Sequence, residues 1–416
     1  MGEDILKTAL EQVKPSEKER SEVKGKVDSF KAQLEKATKQ EVFVGGSFAK
    51  ETWLKGIADV DIFVRYPLSG FKAKSGKLSD LLESKLKATF KDVERLHGSR
   101  DYFRVEYLEL RFEVVPILSI KKANEAVNIT DISPLHVDWV KKHTGKEGWK
   151  TVLLLKAFLQ ANGLYGAESY RRGFSGYVCE ILCAHFGGFN ELLDAATKWK
   201  KGAVIDPARH FKSPEEATLS LNTSKLGAFV LIDPVQASRN AAAALSLESL
   251  TLFVQLAREF KKSPSIRFFS KEIIEEGKLR QQHPGKPVVW LTLTPLRGKE
   301  DVVGAKLLKV FEHICDKAEG FGFSIIKKGW EWNKDKKANM WFVFKSKLSP
   351  EHEVSGPPTS AEAHVKNFHA AHKRCVEKRG RLVAIEKREF TEPLSFVKWL
   401  TSQEYLKERV SKVEIT

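Results

Sequence analysis

Cysteine is scarce in this sequence and long apolar runs are absent, and each absence argues against a class of protein. The 416 residues include only four cysteines, and no Cys-x-x-Cys motif occurs among them. Cys179 and Cys183 lie one helical turn apart in the apolar stretch GYVCEILCAHFGG, far from Cys315 and Cys375. The count and the spacing argue against a disulfide framework. We expect buried free thiols, as in a cytosolic protein.

The sequence also lacks the segments that direct a chain to a membrane. No stretch approaches the roughly 20 uninterrupted apolar residues of a membrane-spanning helix. The N-terminal stretch MGEDILKTALEQVKPSEKERSEVKGKVDSFKAQLEK is charged and has no apolar core of the signal-peptide kind. Leu6 stands where a myristoylation signal has Ser or Thr. The sequence therefore predicts a cytoplasmic protein without a membrane partner.

Basic residues, in contrast, are abundant. The formal net charge is +16, in a chain with 30% charged and 42% hydrophobic residues. Such a balance favours a polyanionic partner, whether nucleic acid, an anionic membrane or nucleotide phosphates. A uniformly basic proteome is the alternative explanation. The length exceeds what one hydrophobic core organises, so two or three domains are expected.

Hydrophobic patterns divide the chain into three predicted parts, of which the first two are residues 1–134 and 135–262. The first part begins with one or two charged helices, broken near Pro15, and continues as a mixed α/β domain. Its strands are expected in EVFVGG, ADVDIFVRY and YFRVEYLELRFEVVPILSI. A new helix is predicted to start at Ser133, at the boundary between the two parts, and the second part is predicted to be almost wholly helical. Apolar residues recur at three- and four-residue spacing in GWKTVLLLKAFLQANGLYG and SRNAAAALSLESLTLFVQLAREFKK.

Residues 263–416 form the third predicted part, which mixes strands and helices. A strand, a helix and two strands are expected in KPVVWLTLTPL, DVVGAKLLKVFEHICDKAEG, FGFSIIKKGWEWN and ANMWFVFKSKL. This β-α-β-β order is typical of a ferredoxin-like unit. EHEVSGPPTS is expected to be a linker, and the chain is expected to end with a helix, a strand and a helix. The predicted fold class is therefore multidomain α+β.

Two aspartates interrupt an apolar strand in VFVGGSFAKETWLKGIADVDIFV. Residues two apart on a strand face the same way, so Asp59 and Asp61 are expected to project together. Two such carboxylates repel each other unless a cation lies between them, and Mg²⁺ prefers hard oxygen ligands of this kind. Glu113, an acid within the apolar stretch LRFEVVPIL, is a candidate third ligand from a neighbouring strand.

The glycine-serine turn before these acids adds a second indication. Gly45 and Gly46 allow backbone to approach a ligand closely, and Ser47 is expected to open a helix whose N–H groups can hold phosphate. Either motif alone also suits an ordinary turn or a solvated strand end. Together with an acidic residue on a neighbouring strand, they are typical of metal-dependent nucleotidyl transfer.

At these motifs the sequence resembles the archaeal, class I CCA-adding enzymes, which are tRNA nucleotidyltransferases of the DNA polymerase beta superfamily. The resemblance covers most of the chain and is sharpest in GGSFAKETWLKGIADVDIF, FEVVP, SPLHVDWV, LLLKAFLQANGLYGAES, RRGFSGYVCEIL and DPVQASRNAAAALS. It implies a nucleotidyltransferase head, a helical neck, and a body and tail that grip tRNA. It also implies addition of C, C and A to the tRNA 3′ end from CTP and ATP, with Mg²⁺ and no template, and repair of damaged ends. The expected tRNA contact is the acceptor stem and 3′ end, and the oligomeric state stays open, a homodimer included.

The resemblance also implies roles for particular residues. Asp59, Asp61 and Glu113 would ligate metal. The implied nucleotide-binding residues are Gly46, Ser47, Lys50, His136, Lys156, Tyr165 and Arg239. The sequence departs from the family pattern at three of these positions, because Asp59 is usually Glu, Glu113 usually Asp and Lys50 usually Arg. The two acid exchanges alter reach by one methylene in opposite senses, whereas Lys50 keeps the charge and loses the planar fork of arginine.

Each implied nucleotide contact has a structural alternative. His136 also suits packing or capping of a helix, and Tyr165 follows a Gly-Leu turn and equally suits a core aromatic. Lys156 is a single cation on an otherwise apolar helix face, which is unusual for a core and consistent with a phosphate partner.

Arginines are the remaining candidates. Arg239 lies at the expected start of a helix, where a cation opposes the helix dipole, and this favours a specific partner over an ordinary helical arginine. The implied partner is the incoming base. Arg171 and Arg172 suit contact with RNA phosphate or simple exposure to solvent.

Two other functions compete with CCA addition. A poly(A) polymerase or oligoadenylate synthetase of the same superfamily would share every metal ligand, but not the neck and tail motifs. A non-catalytic RNA-binding protein with a degenerate head would need a broken set of acids, and all three acids are present.

Overall fold

The structure is a computed structural model that describes residues 2–56 and 59–416. The chain forms two compact units, one extending to Glu272 and the other spanning Ile273–Thr416. Among the described residues, no helix combines the length and the apolar character needed to cross a membrane. The mixed α+β fold class is confirmed, while the division into three domains at residues 134 and 262 stays a prediction.

Two charged helices open the first unit, as predicted, and they meet near Pro15. They are α1 (Gly2–Val13) and α2 (Glu17–Thr38). Ser16 caps α2 reciprocally, because its hydroxyl accepts the Glu19 N–H while the Glu19 carboxylate accepts the Ser16 N–H.

A five-stranded mixed sheet follows. Its strands are β1 (Glu41–Val44), β2 (Asp59–Pro67), β3 (Val93–Leu96), β4 (Tyr102–Tyr107) and β5 (Leu110–Ser119). They lie in the order β1-β2-β5-β4-β3, with β2 and β5 parallel and the other pairs antiparallel. Three helices accompany the sheet: α3 (Gly46–Ala49), α4 (Leu68–Phe71) and α5 (Leu78–Thr89). Buried side chains of α2 and α5, such as Phe30 and Leu82, form one core with the sheet.

The segment predicted as one long strand is two strands joined by a tight turn. Leu108 and Glu109, between β4 and β5, both have positive φ values of 47° and 64°. A two-residue turn with two positive φ values matches the twist of a hairpin. The prediction missed it because neither residue is one of the glycine or asparagine residues that usually mark such turns.

The rest of the first unit is mostly helical. Its helices are α6 (Ser133–His143), α7 (Gly148–Ala161), α8 (Gly176–Phe186), α9 (Phe189–Ala196), α10 (Pro214–Ser220) and α11 (Leu247–Lys262). The helix expected at Ser133 begins there, although Ile132 rather than Ser133 occupies the N-cap position. Two short parallel strands, β6 (Ala203–Ile205) and β7 (Phe229–Leu231), are a correction to the almost wholly helical prediction. Phenylalanines from α7, α9 and α11 meet in the core, among them Phe158, Phe189 and Phe260.

The helix predicted from SRNAAAALSLESL begins later than expected, at Leu247. Asn240 explains the difference, because its buried side chain hydrogen-bonds to the backbone of the preceding loop and strand. Its amide nitrogen donates to the carbonyls of Lys225, Leu226 and Phe229, at 2.9 to 3.0 Å. A side chain that satisfies backbone groups in this way competes with helix formation. The alanines that follow therefore lie in turns, despite their high helix propensity.

The second unit contains the predicted ferredoxin-like element. Its parts are α12 (Glu276–Gln282), β8 (Val288–Pro295), α13 (Glu300–Phe321), β9 (Ile325–Trp332) and β10 (Ala338–Phe344). The unit is completed by α15 (Pro393–Ser402), α16 (Glu404–Lys407) and β14 (Val410–Ile415). The antiparallel sheet has the order β14-β8-β10-β9. The β-α-β-β prediction is confirmed, but the chain ends in a strand rather than a helix.

A smaller sheet is inserted between β10 and α15. It comprises β11 (Glu351–Pro358), α14 (Glu362–Ala371), β12 (Cys375–Lys378) and β13 (Arg381–Lys387), with the strand order β11-β13-β12. The linker predicted at EHEVSGPPTS is therefore wrong, since most of it is β11. Strand β11 is an edge strand of this sheet, and its prolines lie where the register with β13 shifts between Ser355 and Pro358. Edge strands and bulges are the positions in a sheet that accept proline.

Candidate active site

Strand register brings two of the three predicted metal ligands side by side. In the parallel pair β2–β5, Asp61 lies opposite Glu113 and Asp59 lies opposite Arg111. Because residues two apart share a face of a strand, all three acids belong to the same face of the sheet. Asp59 is the most exposed of the three and lies at the first residue of β2.

The acids influence one another electrostatically. Burial raises the pKa of Asp61; nearby Lys50 opposes this rise, and Asp59 adds to it. Burial also raises the pKa of Glu113, and the negative charges of Asp61 and Asp59 raise it further. These carboxylates are therefore close enough to repel one another, which is the arrangement that a bound cation relieves.

Two arginines of the neighbouring strands partly neutralise the acids. Arg111 Nη1 lies 3.6 Å from Asp59 Oδ1, and Arg104 Nη2 lies 3.9 Å from Glu113 Oε1. Within residues 2–56 and 59–416, no three acidic, histidine or cysteine side chains are grouped in a ready metal-binding arrangement. The donor set still fits a hard divalent cation, because it offers carboxylate oxygens alone and their repulsion is only partly offset.

The Gly45-Gly46-Ser47 turn packs directly on Asp61. The Gly45 N–H donates to the Asp61 carbonyl at 2.8 Å. Gly46 has φ +57°, and a Cβ at this position would lie 1.6 Å from Asp61 Oδ2. Only glycine permits this approach of backbone to carboxylate. Ser47 follows within the single-turn helix α3, where it is partly buried.

Both lysines predicted to hold phosphate meet at a buried glutamate. Glu180 Oε2 accepts a hydrogen bond from Lys50 Nζ at 2.5 Å, and Glu180 Oε1 accepts one from the Thr52 hydroxyl at 2.6 Å. Lys156 Nζ donates to the Thr52 carbonyl at 2.8 Å and lies 3.5 Å from Glu180 Oε1. The side chains of Lys156 and Glu180 are 2% and 1% exposed. Although burial opposes its ionisation, the two lysines lower the pKa of Glu180.

Sequence reasoning missed Glu180, although a signal for it existed. It is a lone acid in the apolar helix α8, just as Lys156 is a lone base on the buried, apolar face of α7. A buried charge requires a partner, so two lone opposite charges on neighbouring apolar helices predict a pair. Lys156 is thus the partner of a buried carboxylate.

Tyr165 lies beside the same cluster. A Cβ at Gly176, the first residue of α8, would lie 3.1 Å from the Tyr165 hydroxyl and 3.6 Å from Lys156 Nζ. Burial raises the pKa of Tyr165, and the phenol therefore stays protonated as a donor. Arg171 and Arg172 follow in the nearby loop, half-buried and exposed respectively.

His136 and Arg239 belong to a second cluster, built on Asp233. Arg239 Nη1 donates to Asp233 Oδ2 at 2.7 Å, and His136 Nε2 lies 3.2 Å from the same oxygen. The Tyr177 hydroxyl donates to Asp233 Oδ1 at 3.1 Å. The ring of Tyr177 contacts both His136 and Arg239. The His136 ring stacks on it with 4.2 Å between centroids, and the Arg239 guanidinium lies 5.9 Å from its centroid.

The charges of this cluster keep Asp233 ionised. Burial favours the neutral acid, but His136, the Val235 N–H and Arg239 together lower the pKa of Asp233 to about 2. Arg239 lies in a loop before α11, so the argument from the helix dipole was wrong. Sequence reasoning singled out neither Asp233 nor Tyr177, because the pairing depends on how the loop folds.

Family models match almost the whole chain in three consecutive segments. Residues 150–270 match the second domain of tRNA nucleotidyltransferase, and residues 291–413 match the C-terminal domain of the CCA-adding enzyme. Residues 2–144 match the second messenger oligonucleotide or dinucleotide synthetase domain. The residues of the Glu180 cluster and of the Asp233 cluster all lie within residues 2–144 and 150–270.

Individual proteins agree with the family models. The CCA-adding enzyme of Nanoarchaeum equitans is 34% identical over 93% of this chain and 94% of its own length. That of Archaeoglobus fulgidus is 31% identical over 94% of this chain and 87% of its own length. A solved structure of Cid1, described as an RNA terminal uridylyl transferase, shares the fold alone, at 12% identity and a TM-score of 0.52, over 66% of this chain and all of its own. Glycine turn, paired acids and full-length similarity converge on one conclusion: the chain belongs to the CCA-adding enzymes.

Proposed function

We propose that this protein adds C, C and A to the 3′ end of tRNA, using CTP and ATP and releasing pyrophosphate without a nucleic-acid template. The observation that supports the chemistry best is the register that sets Asp61 against Glu113, directly beside the Gly45-Gly46 turn. The same reaction on a shortened end would repair a damaged tRNA. A cytoplasmic location is part of the proposal.

Nucleotidyltransferases of this kind use a divalent metal ion, and we propose Mg²⁺ here. Asp59, Asp61 and Glu113 would hold it through their carboxylates. When bound, such an ion neutralises phosphate charge and lowers the pKa of an attacking hydroxyl. The fit rests on an all-oxygen donor set whose members repel one another.

The nucleotide triphosphate is proposed to lie between the glycine turn and the start of α8. Gly46 and Ser47 would approach its phosphates with backbone and hydroxyl groups. Lys50 and Lys156 share the single carboxylate of Glu180, so the three side chains together retain one positive charge for the phosphates. Tyr165 is a protonated donor beside them.

The Asp233 cluster is proposed to face the nucleoside end of the substrate. His136 is 13% exposed and Arg239 is 35% exposed, so both retain surface for a ligand while Asp233 is fully buried. Arg239 is the proposed reader of the base. The tRNA partner is supported by the +16 net charge and by the family.

The decisive experiment offers the purified protein tRNAs that lack one, two or three of the terminal nucleotides, each with labelled CTP or ATP. We expect C to be added to the two shorter substrates, A to be added to the longest, and extension to stop at CCA. Long homopolymer tails would instead identify a poly(A) or poly(U) polymerase. Tight tRNA binding without incorporation would identify a non-catalytic RNA-binding protein. Light scattering of the same sample measures its molar mass and so tests whether the protein forms a homodimer.

A further inference from the structure

Asp233 is a buried carboxylate that accepts a hydrogen bond from Arg239 and lies beside His136. Its side chain is fully buried and stays ionised, and its two oxygens have different partners. Oδ2 faces Arg239 Nη1 at 2.7 Å and His136 Nε2 at 3.2 Å. Asp233 therefore orients Arg239 and neighbours His136, while its own side chain is fully buried.

Oδ1 serves a separate purpose, because it anchors the carboxylate. It accepts the backbone N–H of Val235 at 2.9 Å, that of Gln236 at 3.3 Å, and the Tyr177 hydroxyl at 3.1 Å. The Asp233 N–H also donates to the Arg239 carbonyl at 2.9 Å, which closes the loop onto itself. The orientation of Oδ2 is therefore set by covalent geometry and by three donors.

We propose that Asp233 is a positioning residue for nucleotide choice, which holds the Arg239 guanidinium in the orientation that accepts cytosine or adenine and rejects uracil or guanine. This inference rests on the proposed function and deepens it. It names a ligand class, namely bases whose Watson–Crick edge has an amino donor next to an unprotonated ring nitrogen.

The chemistry of arginine explains why a second residue is required. A guanidinium can only donate hydrogen bonds, so it pairs with the ring nitrogen of cytosine or adenine and faces a protonated nitrogen in uracil or guanine. Selection by this route depends on direction, and a free arginine samples many directions. Asp233 binds one edge of the Arg239 fork while the Tyr177 ring supports its face at 5.9 Å. The remaining donors then point in a defined direction.

The test compares Asp233→Asn, Arg239→Ala and the double variant. Each is supplied with tRNA lacking CCA, and kcat/KM is measured for CTP and for UTP. Asparagine keeps the shape but can place an amide donor against Arg239 and His136. We expect the CTP/UTP selectivity of Asp233→Asn to fall at least ~5-fold. The selectivity of the double variant should equal that of Arg239→Ala, since Asp233 acts through the arginine.

Asp206→Asn is the matched control. Asp206 follows β6 as Asp233 follows β7, and its carboxylate accepts the backbone N–H of Phe211 at 2.9 Å. Its selectivity should equal that of the wild type. If Asp233→Asn does not fold, Tyr177→Phe replaces it, because the loss of one donor to Oδ1 should still lower selectivity measurably.

Specific outcomes overturn the inference. Equal losses with CTP and UTP in Asp233→Asn would show a purely structural role. A double variant less selective than Arg239→Ala would show that Asp233 acts by another route. A wild-type protein that adds no C to tRNA would overturn the proposed function itself. Normal addition by the wild type, with unchanged CTP/UTP selectivity in Asp233→Asn, would overturn only the inference about Asp233.

Discussion

At the scale of single residues, the site depends on the close packing of the Asp61 carboxylate against its neighbours. The carboxylate of Asp61 occupies the space that a side chain at Gly46 would fill. The same carboxylate faces Glu113 across the parallel strand pair. The acid that is central to the proposed chemistry is therefore also the one whose surroundings are most tightly determined.

Asp61→Ala should abolish most activity while leaving the fold intact. The substitution removes a proposed ligand for the metal ion, so the rate of C addition should fall by at least ~10³. The fold should survive because the removal of a buried carboxylate relieves repulsion with Asp59 and Glu113. Single-turnover incorporation and circular dichroism measure the two effects. Asp80→Ala, an exposed acid on α5, is the control, and near-wild-type turnover in Asp61→Ala would contradict the metal assignment.

Arg239→Ala should lose nucleotide choice more than it loses rate. A donor facing a donor costs about 1–3 kcal/mol, so discrimination against UTP and GTP should fall roughly 5- to 150-fold. Arg239→Lys should keep the charge without restoring selectivity, because lysine lacks the planar fork. Misincorporation of UTP is the readout. Wild-type fidelity with reduced CTP addition in both variants would place the base reader elsewhere.

The alternation of residues along strands and the placement of acids in apolar stretches predicted the three acids of this site, but not the hydrogen-bond partner of Lys50. Strand alternation correctly placed Asp59 and Asp61 on one face, and an acid in an apolar strand correctly identified Glu113 as their neighbour. The partner of Lys50 is 130 residues away along the chain, at Glu180. Contacts of such separation depend on how helices pack, which local spacing does not encode.

At the scale of elements, one buried cluster joins three pieces of the first unit. Lys50 and Thr52 follow α3, Lys156 belongs to α7, and Glu180 belongs to α8. The glycine turn and the helical segment are thereby tied together beneath the proposed phosphate site. Hydrogen bonds between charged and polar side chains, rather than apolar packing, therefore connect these elements below the site.

Glu180→Ala should destabilise the first unit substantially. It leaves two buried ammonium groups without their carboxylate, and breaking a buried ion pair from one side costs about 3–5 kcal/mol. Urea unfolding followed by circular dichroism measures the loss. Glu259→Ala, on the exposed face of α11, should change stability by about 0.5 kcal/mol or less. A Glu180→Ala protein as stable as this control would show that Lys50 and Lys156 do not depend on the glutamate.

Elements were predicted well where periodicity was long and poorly where side chains compete with the backbone. Helices α1 and α2 and the β8-α13-β9-β10 order follow from the patterns read in the sequence. The turns after Arg239 do not, because Asn240 replaces helical hydrogen bonds with its own. Strand β11 was missed because proline usually argues against a strand, and only its edge position permits it.

At the scale of the whole molecule, charge is the dominant property. The formal net charge of +16 means that tRNA binding should release many counterions. Log affinity should fall linearly with log salt, by at least ~10-fold between ~50 and ~200 mM. Affinity should follow the shape of the acceptor stem more than its sequence, because the A-form major groove is too narrow to read. A filter-binding titration checks both, and an affinity independent of salt would contradict a phosphate-based interface.

The inserted sheet of the second unit has a consequence for how such a chain can change over time. The Arg388 N–H donates to the Pro350 carbonyl at 2.8 Å, so the polypeptide leaves and re-enters the ferredoxin-like layer at one point. A lineage can lengthen, shorten or discard the intervening segment by a single genetic event, and the pairing of β8, β9, β10 and β14 need not shift. The same point is a natural place to graft a foreign domain, because its two ends already meet.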